Sequence, residues 1–224
     1  MAASMVPTNY IFWFTVILNL LLIIMCLKGV VGNFDADAVD PDHANPDDGS
    51  KHEKTFYSFS VQDATGDIVE LKKYMGMVTL VVNVASECGF TDNHYRGLVR
   101  LKNTLSTENK FEVLAFPCNQ FGRQEPGANS EIQEFVKGIY NVNFPVFGKI
   151  DVLGNDVTEP WRYLIESYGR APNWNFWKYL VDEEGHVVNA WSPHTSVEDI
   201  FHEVKEAIDF IGHDKPNYHR HWEL

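Results

Sequence analysis

Three cysteines, Cys26, Cys88 and Cys118, are the side chains of this sequence with the most distinctive chemistry. Cys26 sits inside an apolar amino-terminal stretch, so two thiols remain for the folded part. Two thiols cannot build a multi-bridge secreted framework, and the absence of Cys-x-x-Cys removes a thioredoxin dithiol and the usual zinc ribbons. What is left is one reactive thiol with one possible partner. Cys88 stands in Glu87-Cys88-Gly89-Phe90-Thr91, between a β-branched run and a helical stripe. Unpaired amides at a helix start, and the macrodipole behind them, stabilise negative charge and lower a thiol pKa below its free value of about 8.5. A thiolate there is nucleophilic at neutral pH. An inert cysteine buried at a strand end fits the same position. The nine histidines show no metal-ligand spacing, and no metal is expected.

The elements that must hold Cys88 follow from periodicity. Phe56 to Gln62 and Ile68 to Leu71 flank Asp63-Ala64-Thr65-Gly66-Asp67 as an opening hairpin. Val78 to Val84 is a continuous run suited to a strand buried on both faces, and Glu112 to Phe116 is a second. Between them, Asp92 to Leu105 aligns Leu98, Leu101 and Leu105 on one helical stripe, so the two strands are parallel. Ser130, spaced to Gln133 as in a capping box, opens a helix that buries Ile132, Phe135, Val136 and Ile139. The next helix starts at about Thr158, carries Pro160 in its first turn, buries Trp161, Leu164, Ile165 and Tyr168, and stops at Gly169. Phe176 to Val181 and His186 to Trp191 form an antiparallel hairpin around Asp182-Glu183-Glu184-Gly185. Ser196 opens a last helix with Val197, Ile200, Phe201, Val204 and Ile208 inward. The order predicts an α/β, thioredoxin-like fold with a central mixed β-sheet flanked by helices.

Composition sets the outer limits. Among 224 residues, 31 acidic and 18 basic side chains give a formal charge of −13, so a nucleic-acid groove would work against the molecule's own field and is not expected. Apolar residues at 45% and charged residues at 22% are globular values, and one domain is expected at 51–212. Residues 1–32 read as an export leader, either a cleaved signal peptide with Val30 and Gly32 before the cut or a retained signal anchor. Both place the remainder in the lumen or outside. Residues 33–50, with six Asp and no Lys or Arg, read as a flexible acidic spacer.

Three blocks, VNVASECGFT (Val82 to Thr91), LAFPCNQFG (Leu114 to Gly122) with QEPG (Gln124 to Gly127), and WNFWKYLV (Trp174 to Val181), resemble the signature blocks of glutathione peroxidases. The wording and the leader are most similar to the cysteine-type members of the endoplasmic reticulum. The resemblance implies a peroxidatic Cys88 assisted by Gln124, Trp174 and Asn175, with no cofactor beyond a reducing co-substrate. The chemistry is consistent: a thiolate attacking a peroxide passes charge to the leaving oxygen, and neutral amide and indole donors can steady both ends. Met77 departs from the family's usual Lys or Arg. The helix reading Glu134-Phe135-Val136-Lys137-Gly138 lacks the resolving cysteine of thioredoxin-reduced relatives. The segment that makes tetramer contacts in larger members is absent, which implies a monomer.

Cys118 is the remaining candidate to resolve a sulfenic acid at Cys88, by a disulfide formed after local rearrangement; many relatives hold a cysteine there without a redox task. The reductant is then a protein dithiol, protein disulfide isomerase in the lumen, or glutathione, for whose carboxylates no basic cluster is evident. The ending His221-Trp222-Glu223-Leu224, on the polar tail 213–224, resembles retrieval tails with Trp in place of Asp, which suits the endoplasmic-reticulum lumen; secretion is the alternative. Two functions remain in play: a peroxidase for hydrogen peroxide or lipid hydroperoxides in oxidative stress, and a peroxide-driven thiol oxidase or sensor that oxidises protein disulfide isomerase. A binding module with a dead site would not need the full set Cys88, Gln124, Trp174 and Asn175.

Overall fold

The structure, a computed structural model of the chain, describes residues 54–213. The leader, the acidic spacer and the tail from residue 214 lie outside them. No helix among the described residues is long and apolar enough to cross a membrane.

A 3-10 turn at Phe56–Ser58 leads into the antiparallel pair β1 (Ser60–Gln62) and β2 (Ile68–Glu70). The sequence suggested a strand from Phe56. Adjacent Phe56 and Tyr57 are both buried in the same apolar cluster, which strand alternation would forbid and a tight turn permits. Next come β3 (Val78–Val84), α1 (Thr91–Leu105), β4 (Phe111–Pro117), α2 (Asn129–Tyr140), α3 (Glu159–Tyr168), β5 (Lys178–Val181), β6 (Val187–Trp191) and α4 (Phe201–Asp209). The main sheet has the order β4-β3-β5-β6. β3 is parallel to β4 and antiparallel to β5, so the sheet is mixed and the plan thioredoxin-like.

All seven residues of β3 are buried, as its β-branched run demands of a central strand. Val78, Leu80, Val82 and Val84 pack on one face against Leu98 and Leu101 of α1, Ile132 of α2 and Val204 of α4. Val81, with Leu114 and Phe116 of β4, packs on the other against Trp161 and Leu164 of α3. α1 approaches the segment before α4 so closely that a Cβ at Gly97 would lie 2.8 Å from Val197 Cβ.

Two helix starts differ from expectation. α2 begins one residue before Ser130, and its reciprocal cap is Glu131, whose Oε2 accepts the Ala128 N–H at 2.7 Å. Gln133 instead donates to the Val146 carbonyl at 2.8 Å, fastening the helix to the following loop, while Ile139 is exposed. α4 begins at Phe201 because Ser196 and Asp199 exchange hydrogen bonds of 3.1 and 3.2 Å and close a separate turn first. α3 has Thr158 before it, Pro160 in its first turn and Gly169 at φ 76° as its stop, as the sequence suggests.

Candidate active site

Register brings the three sequence blocks to one end of the sheet. Because β3 and β4 run parallel, Val84 pairs with Pro117 and both strands exit together. Because β5 runs against β3, Val82 pairs with Lys178, and the segment entering β5 lies beside the β3 exit. Cys88 stands in the turn after β3, buried, three residues before α1 starts. Thr91, the first helical residue, accepts the Cys88 N–H on its hydroxyl at 3.1 Å and donates that hydroxyl to Ala85 O at 2.7 Å. Its own N–H reaches Cys88 O at 3.0 Å, so one threonine ties down both sides of the cysteine.

The neighbouring Glu87 N–H donates to Gln124 O at 2.9 Å, which fastens the Cys88 turn to the loop after β4. Gln124 Oε1 in turn accepts Asn175 Nδ2 at 2.9 Å. Gly122, at φ 65°, leaves room for both partners: a Cβ there would sit 3.3 Å from Gln124 Cδ and 3.4 Å from the Trp174 ring. Trp174 is 37% exposed and lies 6.3 Å, ring to ring, from Phe121. Gln124, Trp174 and Asn175 are therefore assembled into one group joined to the Cys88 turn.

Asn83, not singled out in the sequence, holds the third block. Buried on β3, it donates through Nδ2 to Trp174 O at 3.0 Å, accepts Trp177 N–H on Oδ1 at 2.9 Å and accepts Phe176 N–H on its carbonyl at 2.7 Å. A polar residue inside a seven-residue buried run was the available signal. Phe176, at φ 66°, is the sharp point of the turn, and for that reason β5 starts at Lys178 rather than at Phe176. Glu125 was likewise not singled out: it is fully buried, takes the Ser86 hydroxyl on Oε1 at 2.6 Å and has no partner for Oε2 among the described residues. Burial pushes its carboxyl above the ordinary range.

Cys118 is fully buried just after β4, with its N–H on Val84 O at 3.0 Å and its thiol 3.6 Å from Gln120 Oε1. It packs with the α3-side cluster, whereas Cys88 packs with the α1-side cluster, and both thiols are free. Burial pushes the Cys118 thiol up to about 11. Among the described residues, one trio groups possible metal ligands within 4.8 Å: Asp182, Glu184 and His186 at the β5–β6 turn. There Asp182 Oδ1 already accepts the N–H groups of Glu184, Gly185 and His186, which accounts for the cluster as turn structure.

A buried thiol in the turn before a helix, on a thioredoxin-like sheet, with the Gln124 loop fastened to that turn, fits the class of thiol-dependent redox proteins. The comparisons narrow this. Residues 56–165 match the family model described as glutathione peroxidase. "Glutathione peroxidase 7" of Bos taurus is 53% identical over 70% of this chain and 83% of its own length. "Probable glutathione peroxidase 8" of Homo sapiens is 49% identical over 69% and 73%. Among solved structures, "Crystal structure of Trgpx in apo form" is similar with a TM-score of 0.59 and 36% identity, over 70% of this chain and 97% of that one. The chain belongs to the glutathione peroxidase family, and it is a peroxidase of the oxidoreductase class that takes peroxide and a thiol reductant.

Proposed function

We propose that Cys88 is the peroxidatic residue, that Gln124 and Trp174 supply its donor shell, and that Asn175 assists by holding Gln124 in place through the amide it shares between Gln124 Oε1 and Phe121 O. The supporting observation is the Asn175–Gln124 hydrogen bond behind the Cys88 turn. It uses the Gln124 oxygen and so leaves the Gln124 amide hydrogens available as donors. In the reaction the thiolate attacks one peroxide oxygen and the O–O bond breaks. Sulfur is oxidised by two electrons to sulfenic acid, and the departing oxygen takes a proton to leave as water or alcohol. Donors fixed in place before the reaction stabilise that departing charge without reorganising. No cofactor or metal enters the scheme.

Sulfenic acid is returned to thiol by two further thiols: the first displaces water and forms a mixed disulfide, and the second releases the disulfide and restores Cys88. A groove of about 260 Å³ beside the Cys88 turn is lined by Ser86, Glu87, Glu125, Glu131 and Phe135 among others, with three carboxylates and no lysine or arginine. Glu87 and Glu131 disfavour the carboxylates of glutathione, offset in part by the Lys149 ammonium bonded to the Glu125 and Gly127 carbonyls, and the reductant of this reading is a protein dithiol of the protein disulfide isomerase type. The chain then works as a monomer in the endoplasmic-reticulum lumen, or secreted, passing peroxide oxidation to protein thiols and relieving oxidative stress.

Resolution by Cys118 is the second reading. It requires the sulfur to leave one face of the sheet for the other, since bond formation needs the sulfurs at about 2 Å. The internal disulfide is therefore expected to form in a slow step whose rate does not depend on peroxide concentration. Quenched-flow mass spectrometry after a pulse of peroxide, with and without glutathione or reduced protein disulfide isomerase, tests this. The dithiol protein should intercept the sulfenic acid at lower concentration than glutathione; preference for glutathione would contradict the reductant assignment, and an immediate Cys88–Cys118 disulfide would contradict the slow step.

A further inference from the structure

Lys178 is fully buried on β5, on the same face as Leu180, and this is an expensive place for an ammonium group. Its Nζ has three partners: Phe176 O at 3.0 Å, Ser192 O at 3.1 Å and His94 Nε2 at 3.3 Å. His94, also buried, lies on the first turn of α1 and places Nδ1 3.0 Å from Phe90 O. With Nδ1–H donating to that carbonyl, Nε2 is left as an acceptor for the ammonium. Burial and the nearby Lys178 push the imidazole down to about 4, which keeps it in this neutral form, and burial pushes Lys178 down to about 7. The His94 ring also packs against Phe176 at 4.9 Å and Phe90 at 5.6 Å.

The three partners belong to three separate parts of the fold. His94 lies on α1 and in turn bonds Phe90 O, two residues after Cys88. Phe176, held in the left-handed region, follows Asn175 directly. Ser192 follows β6. A non-glycine residue in that region is strained and persists only when its surroundings fix it. Asn83 fixes the Phe176 turn through its N–H, and Lys178 fixes it through its carbonyl. A methionine of similar volume would fill the space without desolvating a charge, so packing alone does not account for the lysine.

We infer that Lys178, with His94 as its acceptor, is a positioning residue for the peroxidase reaction: it locks the Trp174–Asn175–Phe176 turn to the start of α1, so that the donor shell keeps its place relative to Cys88. This rests on the assignment of Cys88 and its donor shell above. Misplacing a catalytic group by about 1 Å can cost on the order of 100-fold in rate.

Two reactions of the same thiol separate positioning from general loosening. Peroxide needs both a nucleophilic sulfur and placed donors; iodoacetamide needs the sulfur alone. In reduced full-length protein, Lys178→Met should lower the stopped-flow rate of Cys88 oxidation by about 10-fold or more while alkylation changes by less than about 3-fold. His94→Leu should act in the same direction. His94→Gln, which keeps an acceptor, should recover most of the peroxide rate, and this pair decides the matter if Lys178→Met does not fold. An unchanged peroxide rate, an equal change in both reactions, or His94→Gln no better than His94→Leu would overturn the inference. Failure of the underlying assignment looks different: Cys88→Ser would then still react with peroxide, whatever stands at position 178.

Discussion

Asn175 spends its amide hydrogens on Gln124 Oε1 at 2.9 Å and Phe121 O at 3.4 Å and keeps Oδ1 buried without a partner among the described residues. Such an orphaned acceptor is costly, and it is easier to understand as part of a site than as core. Trp174, 37% exposed, is too open for a purely structural indole and sits against Gly122 and Phe121. Removing one preorganised donor from a reacting centre commonly costs about 100-fold or more. Gln124→Ala and Trp174→Phe should each slow the first oxidation of Cys88 by at least about 10-fold, while the later reduction step keeps its rate. Stopped-flow oxidation of reduced protein, followed separately from turnover, reads the two steps. Equal oxidation rates in the wild type and both variants would make these residues structural.

At the scale of elements, the parts of the fold with strong periodicity were legible in the sequence. β3 and its buried neighbour β4, the α1 stripe and the punctuated α3 all lie where their patterns place them. What was not legible depends on partners distant in sequence. The Ser130–Gln133 spacing looked like a cap, but Gln133 had a loop carbonyl to satisfy, and Glu131 did the capping. Phe176 looked like the first residue of a strand, yet Asn83 and Lys178 bend it into a turn. The cysteine and its three companions came from the sequence blocks. The residues that position them, Asn83, Thr91, His94 and Lys178, are ordinary core positions until the register of β3 against β5 is known.

Across the whole molecule, burial of His94 makes folding depend on pH. Its imidazole is held down to about 4 in the folded chain against an ordinary 6.5. Between those values the unfolded chain binds the proton that the folded chain refuses, so stability rises with pH across this window and is lost as pH falls through the folded value. A difference of that size corresponds to about 3 kcal/mol at pH 4. Lys178, held down to about 7, titrates mainly above this window and does not blur it. Relative to His94→Gln, the wild type should lose about 3 kcal/mol more stability between pH 7 and pH 4, measured by urea unfolding. Parallel losses in the two proteins would show that His94 is not a buried neutral histidine.

Peroxide is expected to react first at one sulfur, that of Cys88. Reduced protein treated with equimolar peroxide and trapped at once with a sulfenic-acid reagent, then digested and analysed by mass spectrometry, reads that event directly. The label is expected on Cys88, with Cys118 still a free thiol at the earliest times, and no labelling or peroxide consumption in Cys88→Ser. Early label on Cys118, or undiminished peroxide consumption by Cys88→Ser, would contradict it.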